Sequence, residues 1–171
     1  MKTKQLNWFA LIGGILILLL IPISIYFPWW QLIIGKNLIT INASPVNTNI
    51  NLIGTQFSAP LIWAMNLTGT LTFLASGIIM LIYALIPTKP YSKDLLSFGY
   101  RKPLYTVTLY LAGLLVMTFA TQSFLGKGIP IAGTANLTLP SNLTMGANIS
   151  VLVSSTFQWP FYLGVVAAGL C

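Results

Sequence analysis

Four stretches of this chain are apolar almost without a break, and the two long stretches that follow the first and third of them alternate. Residues 8–27 (WFALIGGILILLLIPISIYF), 61–86 and 104–124 carry no charge. Crossing a hydrocarbon layer of about 30 Å takes roughly 20 apolar residues of helix. Each of the three therefore predicts a spanning helix, and the second, the longest, has room to tilt. A fourth stretch, 160–171, is still apolar at Cys171. As helix it rises about 18 Å, too little to cross, so the chain is expected to continue beyond it. Lys2 and Lys4 make a basic start. The apolar run after them exceeds a secretory h-region and no small-residue cleavage site follows Phe27, which predicts a retained helix.

The stretches at about 31–58 and 129–157 have period two. Ile39 and Ile41 alternate with Thr40 and Asn42, and Ile50 and Leu52 with Asn49 and Asn51. Leu137 and Leu139 alternate with Asn136 and Thr138, and Leu143 and Met145 with Asn142 and Thr144. Ile149, Val151 and Val153 alternate with Asn148, Ser150 and Leu152. This pattern gives a strand one apolar and one mostly polar face, with Ala43-Ser44-Pro45 and Gly133 as breaks. The fold class expected is a membrane all-α four-helix bundle with a small extracytoplasmic antiparallel β-sheet on the helix ends. Its helices lie at about 8–27, 61–86, 104–124 and 160–171, in one integral membrane domain over 1–171.

The two halves also share a phrase. Gly35-Lys36 follows the first helix and Gly126-Lys127 the third. Asn49-Ile50-Asn51-Leu52, then Thr55, Phe57 and Pro60, precede the second helix. Asn148-Ile149-Ser150-Val151, then Thr156, Phe157 and Pro160, precede the fourth. The expectation is two tandem two-helix units, entering the membrane from the same side and related by an axis along its normal.

Charge sets the orientation. The chain has eight Lys and Arg, one acidic residue and no His, so only 5% of it is charged, against about 25% for an ordinary soluble domain. Lys2 and Lys4 precede the first helix, and Lys89, Lys93, Arg101 and Lys102 lie in the connection 87–103. Cations stay in the cytoplasm, so 87–103 is expected inside and the two β stretches outside. Trp29, Trp30 and Trp159 read as interface anchors, with Tyr26, Trp63 and Tyr162 at the same level and Trp8, Tyr83 and Tyr105 at the other. Lys36 and Lys127 read as snorkelling side chains rather than ligands of an anion or lipid phosphate. Residues 92–98 read as a short interfacial helix ended by Gly99. Contact with anionic lipid and a plain solvated connection both fit this loop. The dispersed cations give no reason to expect nucleic acid.

The polar faces carry Asn-x-Ser/Thr triplets at Asn42, Asn136, Asn142 and Asn148. They are candidate glycan acceptors. Asn and Thr are equally the polar letters of an alternating strand in a chain poor in acids. In the two outer β stretches, which hold no Asp, Glu or His, nothing titrates between neutral pH and strong acid, which suits an acidophile's surface, such as that of an archaeon.

Several function classes lose their residues. Metal sites use His, Cys or carboxylate clusters, and general acid–base catalysis usually uses His, Glu or Asp. This chain has Asp94, Cys171 and no more, so no metal, no cofactor and no catalytic residue is expected of it. Small-xxx-small pairs at Ala10 and Gly14, Thr72 and Ser76, and Gly164 and Ala168 predict close helix contacts. Asn66, Thr68, Thr70, Thr72 and Ser76, with Thr106, Thr108, Thr118, Thr121 and Gln122, form a polar series on the second and third helices. It is read as interhelical hydrogen bonding in preference to a lined pathway.

Four helices, an outer sheet and the pair Trp29-Trp30 after the first helix resemble the claudin-type tetraspan layout. The claudin signature also needs a Gly-Leu-Trp stretch and two cysteines in the first outer loop. Neither is here, so the resemblance is one of layout and implies no function and no site residue.

The function expected is that of a non-catalytic membrane protein. It would be an accessory or structural subunit of a membrane or cell-surface complex, with the bilayer and a membrane-protein partner or a second copy as its contacts. A transport or channel subunit, and a quinone- or lipid-handling subunit with its cofactors on another chain, are the alternatives.

Overall fold

The computed structural model describes residues 6–57, 59–125, 128–138 and 150–170. It holds four helices and a six-stranded antiparallel sheet. The helices are α1 (Trp8–Tyr26), α2 (Pro60–Leu85), α3 (Ser92–Leu125) and α4 (Trp159–Leu170). By length and composition α1, α2 and most of α3 are apolar enough to cross a membrane.

Local chemistry sets the helix ends. Asn7 caps α1, its side-chain oxygen accepting from the Ala10 N–H at 3.2 Å, the role for which Asn is favoured. The Asn7 N–H donates to the Ala84 carbonyl at 3.1 Å, so α1 starts where α2 stops. α2 opens with Pro60 in its first turn, where a missing N–H costs nothing.

The third helix differs from expectation. The connection 87–103 is not a loop with a short helix in it. α3 starts at Ser92 and runs unbroken through Gly99 and Pro103. Gly99 does not stop the helix because its missing side chain is used elsewhere: a Cβ there would fall 2.5 Å from the Met80 sulfur of α2. It is a contact glycine, and α3 lies close on α2 because of it. At about 51 Å, α3 is far longer than the hydrocarbon layer.

The strands are β1 (Trp30–Ile34), β2 (Ile39–Ala43), β3 (Asn49–Leu52), β4 (Thr55–Phe57), β5 (Gly133–Thr138) and β6 (Ser150–Phe157), in the order β4-β3-β2-β1-β6-β5. Both β stretches contribute. They join where β1 pairs with β6, from Trp30↔Phe157 to Ile34↔Val153. The registers put Trp30, Leu32, Ile34, Ile41, Ala43, Val153 and Leu137 on one face. This face packs on Tyr110, Leu114 and Met117 of α3. Gln31, Asn42, Thr156 and Asn136 fall on the other face.

The shared phrase does not fold the same way twice. In the first half it is the hairpin β3–β4, turning at Ile53 (φ 49°) and Gly54 (φ 79°). In the second half Val153 stands in the place of Gly54, and β6 runs straight through it. The same turn at Leu152-Val153 would put two non-glycine residues in left-handed backbone, where the first half has only Ile53 beside a glycine, and the turn is lost. The pairing is also unequal, since β6, before α4, pairs with β1, the strand after α1, whereas β4, before α2, does not pair with β5, the strand after α3. Among the described residues the sheet does not repeat in the second half the pairing of the first.

Each helix touches two others: α1 packs on α2 and α4, and α3 on α2 and α4. Between them lie Ile17, Leu20, Phe73, Val107 and Ala167, with Trp29 at the sheet end of this cluster.

Candidate functional site

The junction between sheet and helices holds the largest fully buried side chains among the described residues, Trp29 and Trp30. The sequence marks Trp29 and Trp30 as interface anchors. They are 0% and 1% exposed, so that reading is corrected for both. Trp29 lies among Phe73, Tyr110 and Phe161, with ring centroids 5.5–6.1 Å away. Its indole N–H donates to the Ser24 hydroxyl at 2.8 Å. A buried Trp needs such a partner, and Ser24, five residues earlier on α1, supplies it. Trp30 faces the other core, and its N–H donates to the Ile131 carbonyl at 2.7 Å.

A polar clasp holds the loop between β2 and β3 to the end of α1. The single proton of the Ser44 hydroxyl is shared between the Ser24 carbonyl at 3.0 Å and the Asn47 carbonyl at 2.8 Å, and Asn47 Nδ2 donates to the Ile25 carbonyl at 2.9 Å. The Tyr110 hydroxyl of α3 donates to the Ala43 carbonyl at 2.9 Å. Beside this clasp is a polar hollow of about 60 Å³ lined by Ser24, Tyr26, Asn42, Asn47 and Asn49. That is room for a few waters and not for a substrate.

The other anchors divide. Trp159 is 51% exposed and sits 5.6 Å from Phe27, ring to ring. Lys36 lies in the β1–β2 turn at φ 43°, at the far end of β1 from α1. That is about 17 Å along the strand. Lys127, Asn142 and Asn148 lie outside the described residues. Asn136 is exposed on β5, and Asn42 is partly buried on β2, where its Oδ1 accepts from Gln31 at 3.0 Å.

Of the small residues all but Thr72 are buried or at helix contacts; Thr72 is part-buried and its hydroxyl donates to its own helix. Gly14 meets the Gly77 carbonyl of α2, 3.1 Å from where its Cβ would stand. Gly164 of α4 meets the ring of Trp29, 2.5 Å from its own Cβ position. Ala10 and Ala168 are buried. Ser76 is buried with no hydrogen-bond partner for its hydroxyl among the described residues. Sequence reading missed Gly69 and Gly77, although each is a glycine within an apolar helix, a placement that usually has a packing reason.

The polar series on α2 and α3 is also corrected. Thr68, Thr70 and Thr72 donate to the carbonyls of Ala64, Asn66 and Thr68 at 2.7–2.8 Å. Thr106, Thr108, Thr118 and Thr121 likewise donate four residues back on α3. These are bonds to each residue's own helix, a habit of helical Ser and Thr, and they satisfy the hydroxyls without a neighbour.

Two surfaces remain. One is apolar. Ile50, Leu52 and Phe57 continue the buried face of the sheet across β3 and β4 by register. Phe57 is nevertheless 53% exposed, and the next element begins with Leu61, Trp63 and Met65, each more than 60% exposed. The other is cationic, at the first turns of α3. A scan against protein-family models finds no match, and a search of curated proteins finds none either.

Proposed function

We propose that the chain is a non-catalytic integral membrane protein, an accessory or structural subunit of a membrane or cell-surface complex. Its four helices form the membrane body, and its sheet stands on the outer side. Large apolar side chains over the helices support the membrane reading, among them Phe9, Leu109, Val116 and Phe119, each at least 65% exposed. In water that much apolar surface would associate.

The observation that carries the subunit reading is the uncovered end of the sheet. α3 covers the apolar face over β1, β5 and β6, and the same face stays open at Leu52 and Phe57. β4 is moreover an edge strand, which can take another chain. A membrane-protein partner seated on β3, β4 and the start of α2 would cover both.

Purification in mild detergent followed by mass spectrometry tests this. A stable complex is expected, and Phe57→Asn with Trp63→Gln should release the partner while the chain itself stays folded. A chain that purifies alone, or a partner that stays bound to the double variant, would contradict the proposal.

A further inference from the structure

We infer that the first three turns of α3 seat the phosphate of an anionic phospholipid from the inner leaflet. The inference rests on the membrane reading above. Lys89, Lys93, Arg101 and Lys102 are all exposed here, and Asp94 is the one carboxylate among them. That leaves three excess positive charges where α2 hands over to α3.

Depth makes these cations more than a solvated end. Asn7 is bonded to Ala84, Gly14 lies on Gly77, and Gly99 lies on Met80. Reading along the antiparallel pairs, Lys102 is level with Gly77 and Gly14. It thus stands about 10 Å, or two turns, inside the apolar start of α1 at Trp8. A cation at hydrocarbon depth either reaches back to the headgroups or draws a phosphate and water in.

The side chains are arranged for this. Helical side chains lean toward the helix N-terminus, which for α3 is the cytoplasmic end. Lys102 Nζ lies over the ring of Phe98, one turn back, 5.2 Å from its centroid. Arg101 Nε donates to the Tyr100 hydroxyl at 3.2 Å. Arg101, Lys102, Ser97, Phe98, Tyr105 and Asp94 line an open hollow of about 360 Å³. Arg offers a planar fork to a phosphate, Lys a point charge, and Phe98 and Tyr105 flank them at the depth of the glycerol and upper acyl chain. Asp94 lines the same hollow two turns from Arg101, about 10 Å along the axis, and with Arg101 and Lys102 both there the lining keeps a net positive charge.

The test begins with reconstitution of the full chain into liposomes of phosphatidylcholine, phosphatidylethanolamine and phosphatidylglycerol, with flotation after an alkaline wash. Native mass spectrometry from neutral detergent then reads which lipid stays bound. Two cations at an anionic surface should favour phosphatidylglycerol over either zwitterionic lipid about thirtyfold. Arg101→Gln with Lys102→Gln should bring retention near parity. The charge-conserving Arg101→Lys with Lys102→Arg should keep the preference, and so should Lys36→Gln on the other side. Millimolar inorganic phosphate should not displace the lipid.

Failure to float would overturn the membrane reading and this inference with it. Flotation with equal retention of the three lipids would overturn the lipid site alone. So would a preference for phosphatidylethanolamine through Asp94, or a preference unchanged in Arg101→Gln with Lys102→Gln.

Discussion

Gly69→Ala should destabilise the protein, against the usual sign for such a change. In a helix interior alanine is better than glycine by about 1 kcal/mol. Here the new Cβ would overlap the carbonyl oxygen of Pro45 and stand 2.8 Å from its carbonyl carbon. The obstacle is backbone, and that backbone is held. Ser44, on one side of Pro45, is bonded to Ser24, and Asn47 is bonded to Ile25. Either α2 moves off or the clasp on α1 opens. Overpacking of this kind costs about 3 kcal/mol at its upper range, so a net loss of about 2 kcal/mol is expected after the propensity gain. The check is the unfolding midpoint in detergent, with Gly113→Ala as control. Nothing lies within 4 Å of a Cβ at Gly113, so that variant should hold or gain stability. Equal behaviour of the two variants would show that the loop does not bear on α2.

Trp29→Ala should cost more. Emptying a fully buried Trp site costs about 3–5 kcal/mol, and the removed ring is the one on which Phe73, Tyr110, Phe161 and Gly164 meet. Trp29→Phe keeps the aromatic packing and removes the N–H that serves Ser24, a loss of about 1 kcal/mol plus a smaller ring's worth of contact. The expected order of stability is therefore native, Trp29→Phe, Trp29→Ala. Trp159→Ala, at a half-exposed ring, should lie close to native. If Trp29→Ala and Trp159→Ala proved equally mild, the anchor reading of Trp29 would return.

These two sites mark where sequence legibility ends. The long uncharged runs place α1 and α2 within a residue or two, because a helix without charges over 20 residues has few other uses. Period two places Leu32 and Ile41 against Asn42 and Gln31 on opposite faces, because alternation is a property of the strand itself. Trp30 was legible by the same period, since it shares a face with Leu32 and Ile34. Trp29 was not. An aromatic at a helix end looks the same whether it meets lipid or its own core, and the deciding neighbours, Phe73 and Gly164, are remote in sequence. Gly99 reads locally as a stop, and only Met80 shows that it is a contact. The Thr series failed for a local reason: a hydroxyl that can bond four residues back needs no neighbouring helix.

The central claim is a membrane body with the sheet on one side and the start of α3 on the other. It is tested most directly by thiol labelling of intact cells, with Cys171→Ala as the background. Asn37→Cys in the β1–β2 turn and Gln56→Cys in β4 are exposed positions on the sheet, and Lys93→Cys is exposed in the first turn of α3. An impermeant maleimide should label Asn37→Cys and Gln56→Cys in whole cells, and Lys93→Cys only after lysis. Labelling of Lys93→Cys together with the sheet positions in whole cells, or of Lys93→Cys alone, would contradict it.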